Sequence, residues 1–359
     1  MKTKLGCLFW IPGCFLVAEP TQHSSVDLCH SMKYSVDASF TYWYAKEDGL
    51  AAARSALIDP GAMIRPLENG EVFRQSFSYA PGFQVGLGIE SSNRWQLHGE
   101  YTYYRSTNTT SRSAPVDWIN SSLGVWEMSN WFLQSTVLRG NPLTGTHLFS
   151  RWNLGMDLGD LIVSRPFISR ADDKQVRGGE FSPFGGLRTV WIRQKMDLQL
   201  TQDSISVGGS NFLPTQPVES NNNSNSWNIG PRFGAEGKYF FPYGLSVQGM
   251  LGASLLYTKF TTLDHEEFSS STLLSSNPIR ANMNGYNCVR PVLDTSLGIG
   301  WGTNRCKKWN CNLSIDYDFS YFWGQNMMVV MLDQFNNVGS SGDNDLYFQG
   351  VTANLAFSF

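Results

Sequence analysis

Apolar and polar residues alternate along most of this chain. In "YSVDASFTYWY", Val36, Ala38, Phe40, Tyr42 and Tyr44 share one face, while Ser35, Asp37, Ser39 and Thr41 share the other. A period of two places successive side chains on opposite faces of a strand. The same spacing recurs in "GFQVGLGIE", where Phe83, Val85, Leu87 and Ile89 oppose Gln84, Gly86, Gly88 and Glu90. In "RWQLHGEYTYY", Trp95, Leu97, Tyr101 and Tyr103 oppose Gln96, His98, Glu100 and Thr102. "RWNLGMDL" sets Trp152, Leu154 and Met156 against Asn153, Gly155 and Asp157. "WNIGPRFGAEGKY" sets Trp227, Ile229, Phe233 and Ala235 against Asn228, Arg232, Glu236 and Lys238. In "VRPVLDTSLGIGW", Val289, Leu293, Leu297 and Ile299 oppose Arg290, Asp294, Ser296 and Gly298. "CNLSIDYDFSYFW" separates Leu313, Ile315, Tyr317, Phe319 and Tyr321 from Ser314, Asp316, Asp318 and Ser320. The chain ends on "VTANLAFSF", alternating to its last residue, so something must bury the Phe359 ring.

With "SPFGGLRTVWIRQ" and "LSVQGMLGASLLY", these segments predict about ten strands of roughly 9–12 residues, the length a tilted strand needs to cross a bilayer. Helical spacing fits none of them. The connections alternate in length. Short ones are "SSN", "FFPYG" and "TNRCKKWN"; long polar ones run over Lys46–Phe73, Arg105–His147, Thr201–Ser226, Thr261–Asn287 and Gly324–Asn344. Long loops on one side and short turns on the other is the arrangement of outer-membrane barrels. The stretch from Gly159 to Phe181 breaks the rule, and predicts either a small helix or one more hairpin that would make twelve strands. The run "ESNNNSNSWN" predicts a solvated loop tip.

Composition fits lipid as the partner of the apolar faces, with a large soluble β-sandwich as an equal alternative. Charged residues are 16% of the 359, aromatics 14%, and there are 34 glycines. The charged share is below the roughly 25% of soluble globular proteins. Mean hydropathy is only -0.24, which excludes a helical membrane protein. Net charge is -3 and no basic stripe occurs, so nucleic acid is no expected partner. Lys2 and Lys4 precede an apolar run from Leu5 to Ala18, the pattern of a secretory signal peptide. Cleavage after Ala18 is expected, with lipoprotein cleavage at Cys14 the weaker option. The expected organisation is a signal peptide at 1–18, a periplasmic segment at 19–33 and an outer-membrane barrel at 34–359. Export permits disulfides. Cys306 and Cys311 flank four residues between two predicted antiparallel strands, close enough for a bridge; cross-linking to other envelope proteins, with Cys29 as a third thiol, is the alternative.

Several segments, in this order, resemble one family. "ASFTYWYAKEDGL", "APGFQVGLGIESSNRWQLHGEYTYY", "RWNLGMDLG", "FSPFGGLRTVWIRQ", "IGPRFGAEGKYFF", "VRPVLDTSLGIGW" and "VTANLAFSF" are similar to the Legionella-type major outer membrane protein family, with related barrels in chlamydia-like bacteria. The resemblance runs from Tyr34 to Phe359. It implies an all-β, single, antiparallel up-and-down transmembrane barrel in the outer membrane of a Gram-negative-type bacterium, conducting small solutes. It supplies no catalytic residues. Outer-membrane barrels as a class end on an aromatic residue, so Phe357 and Phe359 are the expected signal to the barrel insertion machinery.

No G-x-S-x-G or H-E-x-x-H motif occurs, and no histidine–cysteine spacing suits a metal. No enzyme, cofactor or metal is expected. The chemistry predicted for the lumen is charge: Asp37, Glu90, Glu100, Asp157, Glu236, Asp294, Asp316 and Asp318 against Arg188, Arg232, Lys238 and Arg290. Charges inside a barrel must be hydrated or paired. The first expectation is that they are hydrated and line a porin for passive diffusion of small hydrophilic solutes or ions. If paired, they fill the interior of a structural or adhesion barrel. Barrels of about eight strands are just filled by side chains, whereas porins of about sixteen leave a channel. Expected partners are outer-membrane lipid, the insertion machinery, small solutes, and either further copies of the chain or disulfide-linked envelope proteins.

Overall fold

The alternating segments form strands because each has one face for lipid and one for the interior. The computed structural model describes residues 32–58, 64–66, 70–114, 118–119, 122–128, 144–169, 178–201, 205–207, 210–212, 217–269, 279–302, 309–328 and 344–359. Ten strands close into a barrel: β1 (Lys33–Glu47), β2 (Tyr79–Glu90), β3 (Gln96–Ser113), β4 (His147–Ser164), β5 (Gly178–Thr201), β6 (Val218–Phe240), β7 (Leu245–Ser269), β8 (Asn287–Gly302), β9 (Asn310–Phe322) and β10 (Leu346–Ser358). Each pairs antiparallel with its sequence neighbour, and β1 pairs with β10 to close the ring. The expected signal peptide, the segment to residue 31 and Cys306 lie outside the described residues.

The seam explains the last residue. Tyr34 and Phe359 exchange two backbone hydrogen bonds of 2.9 Å, and their rings lie 6.2 Å apart. Phe359 therefore completes the closing ladder.

The outer wall carries the predicted apolar faces. Phe40, Phe83, Leu87, Leu297, Ile299 and Ile315 project outward and are exposed, as lipid-facing side chains must be in a bare barrel. Tyr42, Trp95 and Tyr101 lie there too, with Trp227 and Tyr321 on the outward positions of β6 and β9. Rings collect at both edges of the band. Tyr34, Trp95, Phe181, Tyr239, Trp301 and Phe359 mark the short-turn end; Tyr42, Tyr79, Trp191 and Tyr257 mark the other. Such girdles sit at the two headgroup levels of the membrane.

The strands are longer than predicted, at 12–25 residues, and those from β3 to β7 rise well beyond the upper girdle. Three predicted loops are therefore partly strand. Arg105–Ser113 belongs to β3, Val218–Ser226 to β6 and Thr261–Ser269 to β7. The asparagine run is likewise in β6, not a loop tip. Its inward Asn222 donates to Met196 O at 3.3 Å and its Asn228 to Val190 O at 2.9 Å. Above the bilayer a strand needs no apolar face, so polar composition no longer marks a loop. The irregular connection resolves as a short strand, Phe167–Ser169, folded onto β5. It does not cross the wall, and the barrel has ten strands.

Beyond the upper girdle, a second sheet that includes Ala53–Ile58, Val72–Phe73 and Ser122–Met128 forms from the connections. The chain then dips back inside. Gln75 donates to Asn108 O at 3.0 Å and accepts from Ser150 Oγ at 2.6 Å. Phe77 packs edge-on against Trp152 at 5.3 Å.

Candidate functional site

The lumen is layered. Its lower part, at the short-turn end, is a polar cavity of about 430 Å³. Register brings the predicted charges together. Gly86 of β2 lies between Asp37 of β1 and Glu100 of β3, Glu100 pairs with Asp160 of β4, and Asp160 with Arg188 of β5. Gly86 and Gly298 each make room for a carboxylate on this wall. A Cβ at Gly86 would stand 2.5 Å from both carboxylate oxygens of Asp37, and one at Gly298 would stand 2.0 Å from Asp316 Oδ1. Each glycine thus gives a carboxylate room to lie across its neighbouring strand.

Two arginines and two aspartates meet across the cavity wall. Arg188 donates Nε and Nη2 to Asp160 at 2.8 and 2.7 Å, and Nη1 to Asp294 at 2.7 Å. Arg232 Nη1 reaches Asp160 at 2.9 Å and Asp294 at 3.0 Å. All four side chains are at most 5% exposed. This cluster ties β4, β5, β6 and β8 together. Charges this buried persist only when paired in good geometry.

The remaining lining is acidic. Eight carboxyl groups share the cavity with three basic side chains and His98, so acidic groups outnumber basic ones there. Asp316 accepts from Gln248 at 2.6 Å and Ser314 at 2.8 Å, while Asp318 accepts from Thr352. Glu236, Lys238 and Glu180 complete the lower rim. His98 Nε2 lies 3.6 Å from Asp37 and 4.0 Å from Glu100. The ligand atoms of these three lie within 4.8 Å of one another, a spacing compatible with a divalent cation.

An apolar layer roofs the cavity. Trp43, Tyr104, Met156, Phe322 and Phe348 are buried inside the barrel at this height. Tyr104 and Phe348 meet edge-on at 5.5 Å, Trp43 and Tyr104 at 5.9 Å, and Phe322 and Phe348 at 5.8 Å. Polar ends fix the rings: Trp43 Nε1 donates to Thr352 Oγ1 at 3.1 Å, and Tyr104 Oη donates to Trp43 O at 2.9 Å. Trp152, Leu154, Ile192 and Met196 continue the apolar filling upward. A polar set lies higher still, where Gln194 donates to Glu47 at 2.8 Å, and His265 bridges Asn222 and Glu267 at 2.6 Å each.

Asp37, Glu100, Arg188, Arg232, Glu236, Lys238, Asp294, Asp316 and Asp318 lie around the cavity. Glu90 sits at the short-turn end of β2 beside Gln96 and Lys33, below the cavity. Arg290 faces inward but above the roof, with Nη1 on Trp323 O at 3.2 Å and its guanidinium over the Phe260 ring. Asp157 is a correction: it lies on the outer wall, joined to Tyr101 at 2.7 Å, Arg105 at 2.8 Å and Arg193. Trp152, Leu154 and Met156, predicted outward, point in. This part of β4 lies at and above the upper girdle, where water bathes the outside and the apolar face turns to the core. The acidic lining residues missed were Asp160 and Glu180. The signal for Asp160 is at the other end of β4, where Leu161 and Val163 are the lipid-facing pair and fix even positions inward. Phe357 and Phe359 are exposed on the outer wall at the seam.

No curated protein matches the chain. Among solved structures it is similar to the outer membrane protease OmpT of Escherichia coli, at 9% identity over 93% of this chain and 99% of that one, with a TM-score of 0.41. It is also similar to a major outer membrane protein of Thermus thermophilus, at 10% identity over 92% and 100%, with a TM-score of 0.30. Similarities this distant carry no argument. The family of the Legionella pneumophila major outer membrane protein precursor matches residues 27–359, nearly the whole chain. The protein is an outer-membrane β-barrel and belongs to that family.

Proposed function

We propose that this barrel is closed to diffusion by its own side chains and serves as a surface-presenting outer-membrane protein rather than an enzyme. The observation that carries the reading is the roof of Trp43, Tyr104, Met156, Phe322 and Phe348 above the Arg188–Asp160–Arg232–Asp294 cluster. Trp43 and Tyr104 are held by hydrogen bonds and the other side chains pack against them, which supports a lumen blocked at that height, and ten strands enclose little more than a filled interior. The strands that rise past the girdle lift a platform of connections above the membrane, where partners meet it. Single-channel recording in planar bilayers tests the reading. Folded wild-type protein should be silent, and Trp43→Ala with Phe348→Ala should open steps of current. Steady steps from the wild type would favour passive diffusion instead.

One observation supports that second reading: the acidic cavity below the roof. If the roof opens, its carboxylates set the field a passing ion meets. Asp316→Asn with Asp318→Asn should then move the reversal potential in a salt gradient toward anions. No shift in a conducting double mutant would remove these aspartates from the path. The Cys306–Cys311 bridge is part of the proposal as well. Non-reducing peptide mapping should recover both thiols in one cross-linked peptide, and separate partners would exclude it.

A further inference from the structure

The outer wall carries a charged cluster that the lumen does not explain. Tyr103, Asp157, Trp191 and Trp227 are successive partners across β3, β4, β5 and β6. Below this row the wall is apolar. The next row up is Arg105, Gly155, Arg193 and Asn225, and the one above is Thr107, Asn153, Lys195 and Asn223. On β5 the boundary is one step wide. Trp191 faces lipid, and Arg193 follows on the same face. Phe181, ten residues before Trp191, marks the lower girdle, about 25 Å away along the membrane normal for a tilted strand. The cluster therefore stands at the headgroup level of the long-loop leaflet.

Its shape and charge suit an anion. A recess of about 300 Å³ is lined by Arg105, Arg193, Lys195, Asn153, Asn223 and Asn225. A Cβ at Gly155 would come within 3.2 Å of Arg105, so this glycine is what lets Arg105 lie over β4 and deepen the recess. Asp157 is shared by Arg105 and Arg193, and Lys195 pairs with Asp197 at 2.9 Å. One carboxylate between two guanidiniums leaves a positive excess. The Arg193 and Lys195 side chains are 57% and 49% exposed, with donors left over. Directly beneath, Gly159 and Gly99 lie beside Tyr101, Leu161 and Leu187 on the apolar wall that an acyl chain meets. Headgroup donors above an apolar wall are the two halves of an amphiphile's site.

We propose that Arg105, Arg193 and Lys195, with the surrounding asparagines, form a binding site on the outer wall for the phosphorylated headgroup of an outer-leaflet glycolipid. The site is independent of whether the lumen conducts. Basic residues at a membrane surface each contribute about 1 kcal/mol toward anionic lipid, so loss of two corresponds to about thirty-fold in affinity.

The test uses refolded full-length barrel in detergent, titrated with bisphosphorylated lipid A and followed by native mass spectrometry. One lipid should be retained per barrel, in preference to the dephosphorylated glycolipid. Arg193→Gln with Lys195→Gln should weaken retention about thirty-fold, and Arg193→Lys should keep most of it. Heat-modifiability on gels identifies folded barrel in every sample; if the double mutant does not fold, Lys195→Gln alone should still weaken binding measurably. Equal retention of the dephosphorylated lipid, or unchanged binding by the folded mutants, would overturn the site and leave a structural ion-pair cluster. Displacement of the lipid by an equal concentration of inorganic phosphate would overturn the lipid assignment in favour of a simple anion site.

Discussion

The lower and upper halves of this barrel obey opposite rules along the same strands. In lower β5, Phe181, Leu187 and Trp191 face out while Glu180, Ser182 and Arg188 face in. In upper β5, Lys195, Asp197 and Gln199 face out while Ile192, Met196, Leu198 and Leu200 are buried. β4 does the same, with Leu161 and Val163 outward below and Trp152, Leu154 and Met156 inward above. No bulge separates the halves of these two strands, and the pleat is unchanged. What changes is the solvent outside. Against lipid, apolar side chains go out and charges collect within. Above the headgroups, water takes the outside, and apolar groups gain by leaving it. The upper half is built as a soluble barrel set on a membrane barrel.

This comparison can be broken by substitution. The largest effects are expected where each half keeps its interior. Trp152→Ala, in the upper core, should cost about 3–5 kcal/mol through the cavity it leaves. Asp160→Asn, in the lower interior, should cost about as much, because two buried guanidiniums would share one remaining carboxylate. Urea titration of the folded barrel on gels measures both. If Asp160→Asn unfolds no earlier than wild type, the cluster is hydrated and the lower lumen is wet. Next comes the outer wall. Leu297→Arg, on the lipid-facing side of β8, should cost roughly 2–4 kcal/mol near the midplane. Thr109→Arg, also outward but on upper β3, should stay within about 0.5 kcal/mol, as surface substitutions usually do. Equal costs for the two arginines would mean the upper wall also meets lipid. At the smallest scale, lipid-phase labelling of single cysteines should modify position 297 and spare both 109 and 296.

Much of the site is legible in the residues alone. Asp294, Asp316, Asp318, Arg232, Glu236 and Lys238 follow from strand segments lying within the membrane band, where apolar-out is the rule. The same rule misplaces Asp157, which sits where that rule ends. The network of Arg188 and Arg232 with Asp160 and Asp294 is not legible, because it joins four strands through closure and shear. Nor is the roof, since Trp43, Tyr104 and Phe348 look in sequence like any other girdle rings.

The sequence by itself determined the period, and with it an all-β chain of about ten antiparallel strands ending on a ring that closes the seam. A period of two says that a strand's faces differ, because successive side chains must point opposite ways. It does not say which face meets which solvent. Only the closed barrel decided that, by setting the height of each residue against the bilayer and by curving distant strands around a single interior in which Asp160 and Arg232, or Trp43 and Phe348, come into reach.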